Sequence, residues 1–265
     1  MSGNEAFELV SEHGWRRGLS NLLDNELARW WKTRTWWIQS LIWVALIGFM
    51  LAAVTFGRVG FDLTAVAMIY GIFAGLFPAV GVIIIMQGAL VGEKRDGTAA
   101  WVMSKPASRP AFILTKVIAN GLGVLATMVI LPGVVVYIIL SVASKSALNP
   151  SAFLSALGIL FLNHLFYLSL TLMLGALFSG RGPVIGIALA LLFLQQYVIG
   201  LAPALGQFLP WTLLTPLNNQ TNAVVPNLLL GHPLSTSSYL QIFAVTVECV
   251  VFVLIALWRF NREEL

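Results

Sequence analysis

The sequence predicts an all-α integral membrane protein: six transmembrane helices, an N-terminal amphipathic helix lying at the interface, and short outer helices before the last span. Three observations predict it. Hydrophobic residues make up 58% of the 265 and charged residues only 10%, with a mean hydropathy of +0.88, where an ordinary soluble protein is about 25% charged. Six separate stretches are long and apolar enough to cross a hydrocarbon core of about 30 Å, which takes roughly 20 residues. Basic residues crowd into alternate connections between those stretches. The composition excludes a water-soluble globule. The net charge of +4 does not call for nucleic acid, because membrane proteins collect Lys and Arg on the cytoplasmic side.

Residues 1–35 make a cytoplasmic N-terminal region. They carry Glu5, Glu8, Glu12, Asp24 and Glu26 and no early apolar core followed by a small-residue cleavage site, so no removed signal peptide is expected. From Trp15 onward the apolar residues fall at Trp15, Leu19, Leu22, Leu23, Leu27, Trp30 and Trp31, spacings that fit one face of an α-helix. Arg16, Arg17, Asp24, Asn25, Arg29 and Lys32 take the other sides. Such a helix is expected to lie flat at the interface, indoles at headgroup level and cations near anionic lipid. Trp36, Trp37 and Trp43 carry the aromatic anchor into the first span. Periodicity leaves open whether this helix is a plain anchor or a coupling element.

The membrane domain follows over residues 36–265, with predicted spans at 38–56, 65–91, 117–140, 152–178, 183–201 and 241–258. Inside them the only Asp, Glu, Lys or Arg is Glu248. Thirteen of the fifteen basic residues fall on one side: Arg16, Arg17, Arg29, Lys32 and Arg34, then Lys94, Arg95, Lys105, Arg109 and Lys116, then Arg181, Arg259 and Arg262. Only Arg58 and Lys145 fall on the other. The asymmetry places both termini in the cytoplasm of a multi-pass protein of the cell's inner or plasma membrane. Of the outer connections, 57–62 and 141–151 are short. Residues 202–240 have no Asp, Glu, Lys or Arg and hold five of the eleven prolines, Pro203, Pro210, Pro216, Pro226 and Pro233. So apolar a stretch is expected to form short proline-broken helices on or in the outer membrane surface, with irregular backbone shielded by protein. Asn219-Gln220-Thr221 is formally a glycosylation triplet, without a compartment to give it weight.

The cytoplasmic connection, residues 92–116, carries the densest signal. Asp96-Gly97 marks a turn, and Thr98 is expected to cap a short helix over 99–104. Pro106 ends it, and Pro110 suits the first turn of a helix running through Lys116 into the third span. The result is a helical knob presenting Trp101 and Met103 between charges. An exposed aromatic there fits a protein partner; an aromatic resting at the lipid interface is the other reading.

This connection resembles that of ABC-2-type permeases, the membrane subunits of type-2 ABC exporters. Their pattern is a Gly-Glu-Arg/Lys run, a Gly-Thr, then Pro-x-Ser-Arg and a Lys opening the next span. It is matched here by Gly92-Glu93-Lys94, Gly97-Thr98, Pro106-Ala107-Ser108-Arg109 and Lys116. The likeness extends over the whole chain. The charge-free outer region departs from the more familiar members and argues against a large receptor domain outside. The resemblance implies a half-transporter that exports its cargo by alternating access. It implies a second permease subunit, identical or not, and two copies of an ABC ATPase subunit that bind ATP and Mg. It also implies that Glu93, Gly97, Thr98, Trp101, Met103, Pro106 and Arg109, with the interfacial positions Trp15, Leu19, Leu23, Trp30 and Trp31, meet the ATPase, and that 202–240 lines the outer gate. The chain has no G-x-x-x-x-G-K-[ST] phosphate loop, so it is not expected to hydrolyse ATP itself.

Polar residues inside the spans are the remaining candidates. Glu248 lies well inside the last span, where an acidic side chain costs about 2.5–3.5 kcal/mol; it is either a cargo contact or a carboxyl hydrogen-bonded to a neighbouring helix. Asn163, Tyr167 and Thr171 recur every four residues in the fourth span, with His164 alongside as a satisfied core histidine, and Gln195 and Gln196 lie in the fifth. Such stripes join helices or line a path. Gly71/Gly75/Ala79 and Gly182/Gly186/Ala190 permit close helix approach within or between subunits.

Other functions are less well supplied. Three scattered histidines, His13, His164 and His232, cannot build a metalloprotease, and Ser179 shares its helix with His164, so neither intramembrane hydrolytic chemistry is furnished. Cys249 is the only cysteine, which excludes an internal disulfide and a cysteine-based cluster. An ATP-independent channel or secondary transporter is the main alternative, though such carriers usually place several charges in the membrane.

Overall fold

The computed structural model of the protein describes residues 14–57, 62–216 and 223–263; His13, Arg58 and the Asn219-Gln220-Thr221 triplet lie outside them. Helix α1 (Leu19–Trp31) precedes the spans. These are α2 (Thr35–Phe56), α3 (Leu63–Met86) continued by α4 (Val91–Arg95), then after α5 (Thr98–Met103) the pair α6 (Arg109–Val124) and α7 (Leu131–Ala143). They continue with α8 (Pro150–Leu177) and α9 (Arg181–Leu201). The short helices α10 (Trp211–Leu214) and α11 (Val224–Leu229) then lead to the last span, α12 (Thr236–Asn261).

All six predicted stretches are long apolar helices able to cross a membrane. Four of them open on a polar side-chain cap and so begin earlier than hydropathy alone indicates. Asp62 accepts from the Thr64 N–H at 2.9 Å, Asn149 from the Ser151 N–H at 3.0 Å, and Ser235 from the Ser238 N–H at 3.3 Å. The third span also contains a wide π-turn over Leu125–Ile130. Pro132 follows it with one residue between; a proline has no N–H for the carbonyl four residues back and its ring crowds that carbonyl, which a widened turn relieves.

Helix α8 is the axis of the bundle. It is the most enclosed span, 72% buried along its apolar window against 17% for α12, and α3, α6, α9, α11 and α12 all pack on it. One buried cluster gathers Met86, Val91, Phe112, Leu172 and Phe260 towards one end. The other gathers Ile47, Tyr70, Val136, Phe153 and Leu160 towards the opposite end. Both described ends of the chain lie together: the Ser108 N–H donates to the Arg17 carbonyl at 2.9 Å, and Lys94 pairs with Glu263 at 2.7 Å. This end is called the terminal face below.

Within the outer segment, two short helices pack into protein while the 3-10 turn before them is largely exposed. After a 3-10 turn at Pro203–Phe208, α10 and α11 pack on α3 and α8 with Leu213, Leu214, Val224 and Val225 buried. Their seat is the first small-residue stripe. The Leu214 side chain occupies the space a Cβ at Gly75 would need, and a Cβ at Gly71 would lie 3.2 Å from the Leu214 carbonyl oxygen and 3.6 Å from the Pro226 ring. That stripe is therefore used within the chain. A Cβ at Gly182 or Gly186 would meet nothing within 4 Å.

Three local expectations are corrected. Thr98 does not cap α5; it is the first helical residue, and Gly97, with φ 71°, is the cap, a left-handed conformation that glycine adopts without Cβ strain. Met103 is not presented outward but is half-buried against the core. Trp30 does not rest at headgroup level; it is buried inside the bundle.

Candidate functional site

The terminal face is organised around α4, α5 and the first turns of α6. Ser108 opens α6: its hydroxyl accepts from the Ala111 N–H at 3.1 Å and donates to the Trp15 carbonyl. The chain reaches this contact through Gly18, at φ 78°, where an added Cβ would lie 3.1 Å from the Ala107 Cβ. Only glycine meets both requirements without strain.

Helix α1 is clamped to α6 by two devices. The Trp30 indole N–H donates to Asn120 Oδ1 at 3.0 Å, and its ring covers Gly123, filling the position a Cβ would take. One turn earlier, Glu26 accepts from the Lys116 ammonium at 2.9 Å. Lys116 also pairs with Glu93 of α4 at 2.8 Å, and Arg29 reaches Glu93 at 3.1 Å. Two cations and two carboxylates thus close a neutral cluster. The Lys116 side chain is 1% exposed, so either carboxylate's loss leaves a buried cation short of a counter-charge.

The same surface ties down the far end of the chain. One Arg109 Nη atom donates to the Phe260 and Asn261 carbonyls at 3.2 and 2.6 Å, satisfying orphan carbonyls at the end of α12. Phe112 and Phe260 stack with centroids 5.2 Å apart. Lys94, besides its pair with Glu263, donates to the Gly175 and Ala176 carbonyls at the end of α8 at 3.3 and 3.4 Å. Movement of α4 or of the start of α6 therefore reaches α1, α8 and α12 through direct bonds.

On this frame α5 buries Ala99 and part of Met103 and turns its other side outward. Trp101 is 61% exposed, with the Lys105 ammonium 3.4 Å from its ring centroid. A groove of about 700 Å³ runs between α5 and α1, with Leu22, Val102 and Phe112 in its lining and Trp101, Lys105 and Arg29 beside them. An apolar groove with polar surroundings and an exposed aromatic is the physical form of a protein-docking surface.

The predicted residues divide by location. Gly97, Thr98, Trp101 and Pro106 lie on the exposed knob, whereas Glu93 and Arg109 turn inward to the bonds just described. Trp15 and Trp31 are exposed, Leu19 and Leu23 half-buried. Asn163, Tyr167 and Gln195 form helix-joining bonds deeper in the bundle. Asn163 Nδ2 donates to the Gly75 carbonyl at 3.0 Å. Gln195 Nε2 donates to the Tyr167 hydroxyl at 2.8 Å, and Gln195 Oε1 accepts from the Trp211 N–H at 3.2 Å. His164 is fully buried and hydrogen-bonded to the Ala74 backbone, while its Nε2 has no partner among the described residues. Glu248 is half-buried on α12 and one of its carboxylate oxygens is enclosed without a partner among those residues.

Glu26, Asn120 and Lys116 were not singled out as site residues by sequence reasoning. One signal was available. Glu26 is four residues before Trp30 and lies on the apolar face of α1, where a carboxylate needs a buried cation.

The sequence profile of the ABC-2 family transporter proteins matches residues 20–265. The chain belongs to the ABC-2 transporter family. It is a membrane component of such a transporter, with the match running from the start of α1 through the last span. No curated protein was found to match it. The terminal-face frame is thus part of an ABC-2 membrane subunit, and among its described residues no group of three or more His, Cys, Asp or Glu is placed to hold a metal ion.

Proposed function

We propose that this ABC-2 chain is the permease half of an ATP-driven exporter, with both termini cytoplasmic, and that its terminal face receives a separate ATPase subunit carrying ATP and Mg. The observation that carries the reading is Trp101 held out on α5 directly over a frame whose bonds lead into four other elements. Force applied at the knob passes through Glu93–Lys116 to α6 and α1, and through Lys94 and Arg109 to α8 and α12. Thirteen of fifteen basic residues on that side support a cytoplasmic placement, and the missing phosphate loop supports a nucleotide site on another polypeptide.

A second permease subunit completes the path in this reading. The open stripe at Gly182 and Gly186 leaves room for close approach, and the re-entrant α10–α11 segment closes the outer end. The spans lack fixed charge away from their ends except at Glu248, which favours an amphipathic or apolar cargo. The test is co-expression with the candidate ATPase, affinity capture and reconstitution. The expected result is a stable complex whose transport needs ATP and is lost in Trp101→Ala while membrane insertion is retained. Nucleotide-independent transport by the purified chain would overturn the reading in favour of a channel or secondary transporter.

A further inference from the structure

A second cavity opens on the terminal face beside the frame described above, sharing Glu26, Arg29, Trp30, Glu93 and Asn120 with it. It holds about 340 Å³, roughly the share of ten waters in the liquid. Its walls come from the α1–α2 corner (Trp30, Thr35), the end of α3 with α4 (Ile85 to Asp96) and the start of α9 (Arg181). Glu26, Arg29 and Glu93 also border it, but they are neutralised among themselves and by Lys116. Two charged walls remain without an ion-pair partner among the described residues: Arg181 and Asp96.

Arg181, an exposed residue, lies beside α4 and the glycines at its start. Its Nη2 lies 3.2 Å from where a Cβ on Gly92 would be and 4.0 Å from that of Gly88. Along this rod the lining changes in a fixed order: apolar at Ile85, cationic beside Gly88 and Gly92, anionic at Asp96, one helical turn beyond Gly92. Moving away from the membrane interior, that is the order of groups in a zwitterionic phospholipid: acyl chain, phosphate, ammonium. The exposed Trp31, Trp36 and Trp37 on the adjoining corner mark this depth as headgroup level.

We infer that this cavity binds the headgroup of a phosphatidylethanolamine molecule from the bilayer leaflet on the terminal side, its phosphate on Arg181 and its ammonium on Asp96. A guanidinium matches phosphate oxygens in a fixed fork. A primary ammonium donates hydrogen bonds to a carboxylate, which the quaternary ammonium of choline cannot do. An anionic glycerol headgroup would leave Asp96 facing hydroxyls, without an opposite charge.

The experiment uses the full chain purified in detergent, with native mass spectrometry and thermal unfolding measured against added phosphatidylethanolamine, phosphatidylcholine and phosphatidylglycerol. Phosphatidylethanolamine is expected to bind best and to raise the midpoint most. Arg181→Gln removes a charge-assisted contact and weakens its binding about tenfold or more, whereas Asp96→Asn abolishes the preference over phosphatidylglycerol. Should Arg181→Gln disturb folding, Arg181→Lys keeps the charge but loses the planar fork and is expected to weaken binding in the same direction. Equal or stronger binding of phosphatidylglycerol by the wild type overturns the proposal. So does unchanged binding in Arg181→Gln or, where that variant is unfolded, in Arg181→Lys. Protection by free phosphoethanolamine equal to that by the lipid would also overturn it, by moving the ligand from bilayer to solution.

Discussion

Lys116 and Glu93 meet at 2.8 Å in a site where the lysine side chain is 1% exposed, joining the third span to the end of the second. Because Lys116 also holds Glu26 of α1, one ammonium connects three elements. An ion pair in such a place contributes connection more than net stability, since desolvation offsets most of the attraction. Removing one partner is a different matter.

Lys116→Met is therefore expected to be among the most damaging single changes on this face. It leaves two half-buried carboxylates to share the exposed Arg29 guanidinium, and breaking a buried pair by removing one partner costs about 3–5 kcal/mol. Glu93→Gln, which leaves Glu26 in place, is expected to cost less. A double-mutant cycle on thermal midpoints in detergent checks this: Lys116→Met with Glu93→Gln should be less destabilising than the sum of the two. Simple additivity would mean that the two side chains do not interact.

Trp30 and Gly123 make a second testable joint. Gly123→Leu puts atoms where the indole lies and is expected to lift α1 from α6, whereas Trp30→Phe keeps the packing and loses the bond to Asn120, about 0.5–1.5 kcal/mol. Limited proteolysis within residues 19–31 reads the difference. Faster cleavage in Gly123→Leu, with little change in Trp30→Phe, is the expected pattern.

The spans were legible in the sequence because hydropathy needs no knowledge of partners, and short helices such as α10 and α11 were legible in the uncharged, proline-broken stretch that holds them. What stayed hidden depends on pairing. Glu26 and Lys116 are 90 residues apart, and no periodicity relates them. The two small-residue stripes share one spacing, yet only Gly71 and Gly75 are covered by α10 and α11. Met103 was misplaced because α5 has only six residues, too few for a pattern to define its inner face. Pro132 stands in the third span, but a proline there allows a plain kink as well as a π-turn, and the choice depends on its neighbours.

Gly75 offers a direct test of the re-entrant packing. Gly75→Val displaces the Leu214 side chain and should expose the buried α10. With Cys249→Ala as background, a cysteine introduced as Leu213→Cys is expected to resist a water-soluble thiol reagent and to become reactive when Gly75→Val is added. Gly186→Ala, whose Cβ meets nothing within 4 Å, is the control and should leave the reactivity unchanged.

Glu248 separates stability from transport. One of its oxygens is enclosed without a partner among the described residues, so the carboxylate's desolvation is not offset by a hydrogen bond there. Glu248→Gln is accordingly expected to leave the thermal midpoint unchanged or higher. In the proposed exporter, whose spans carry no other carboxylate away from their ends, the same change is expected to lower transport by the reconstituted complex while ATPase attachment persists. A carboxyl serving only to join helices would behave in the opposite way, because its amide replacement would lower the midpoint and leave the transport rate per folded complex intact. The ratio of those two measurements, rather than either alone, assigns the residue.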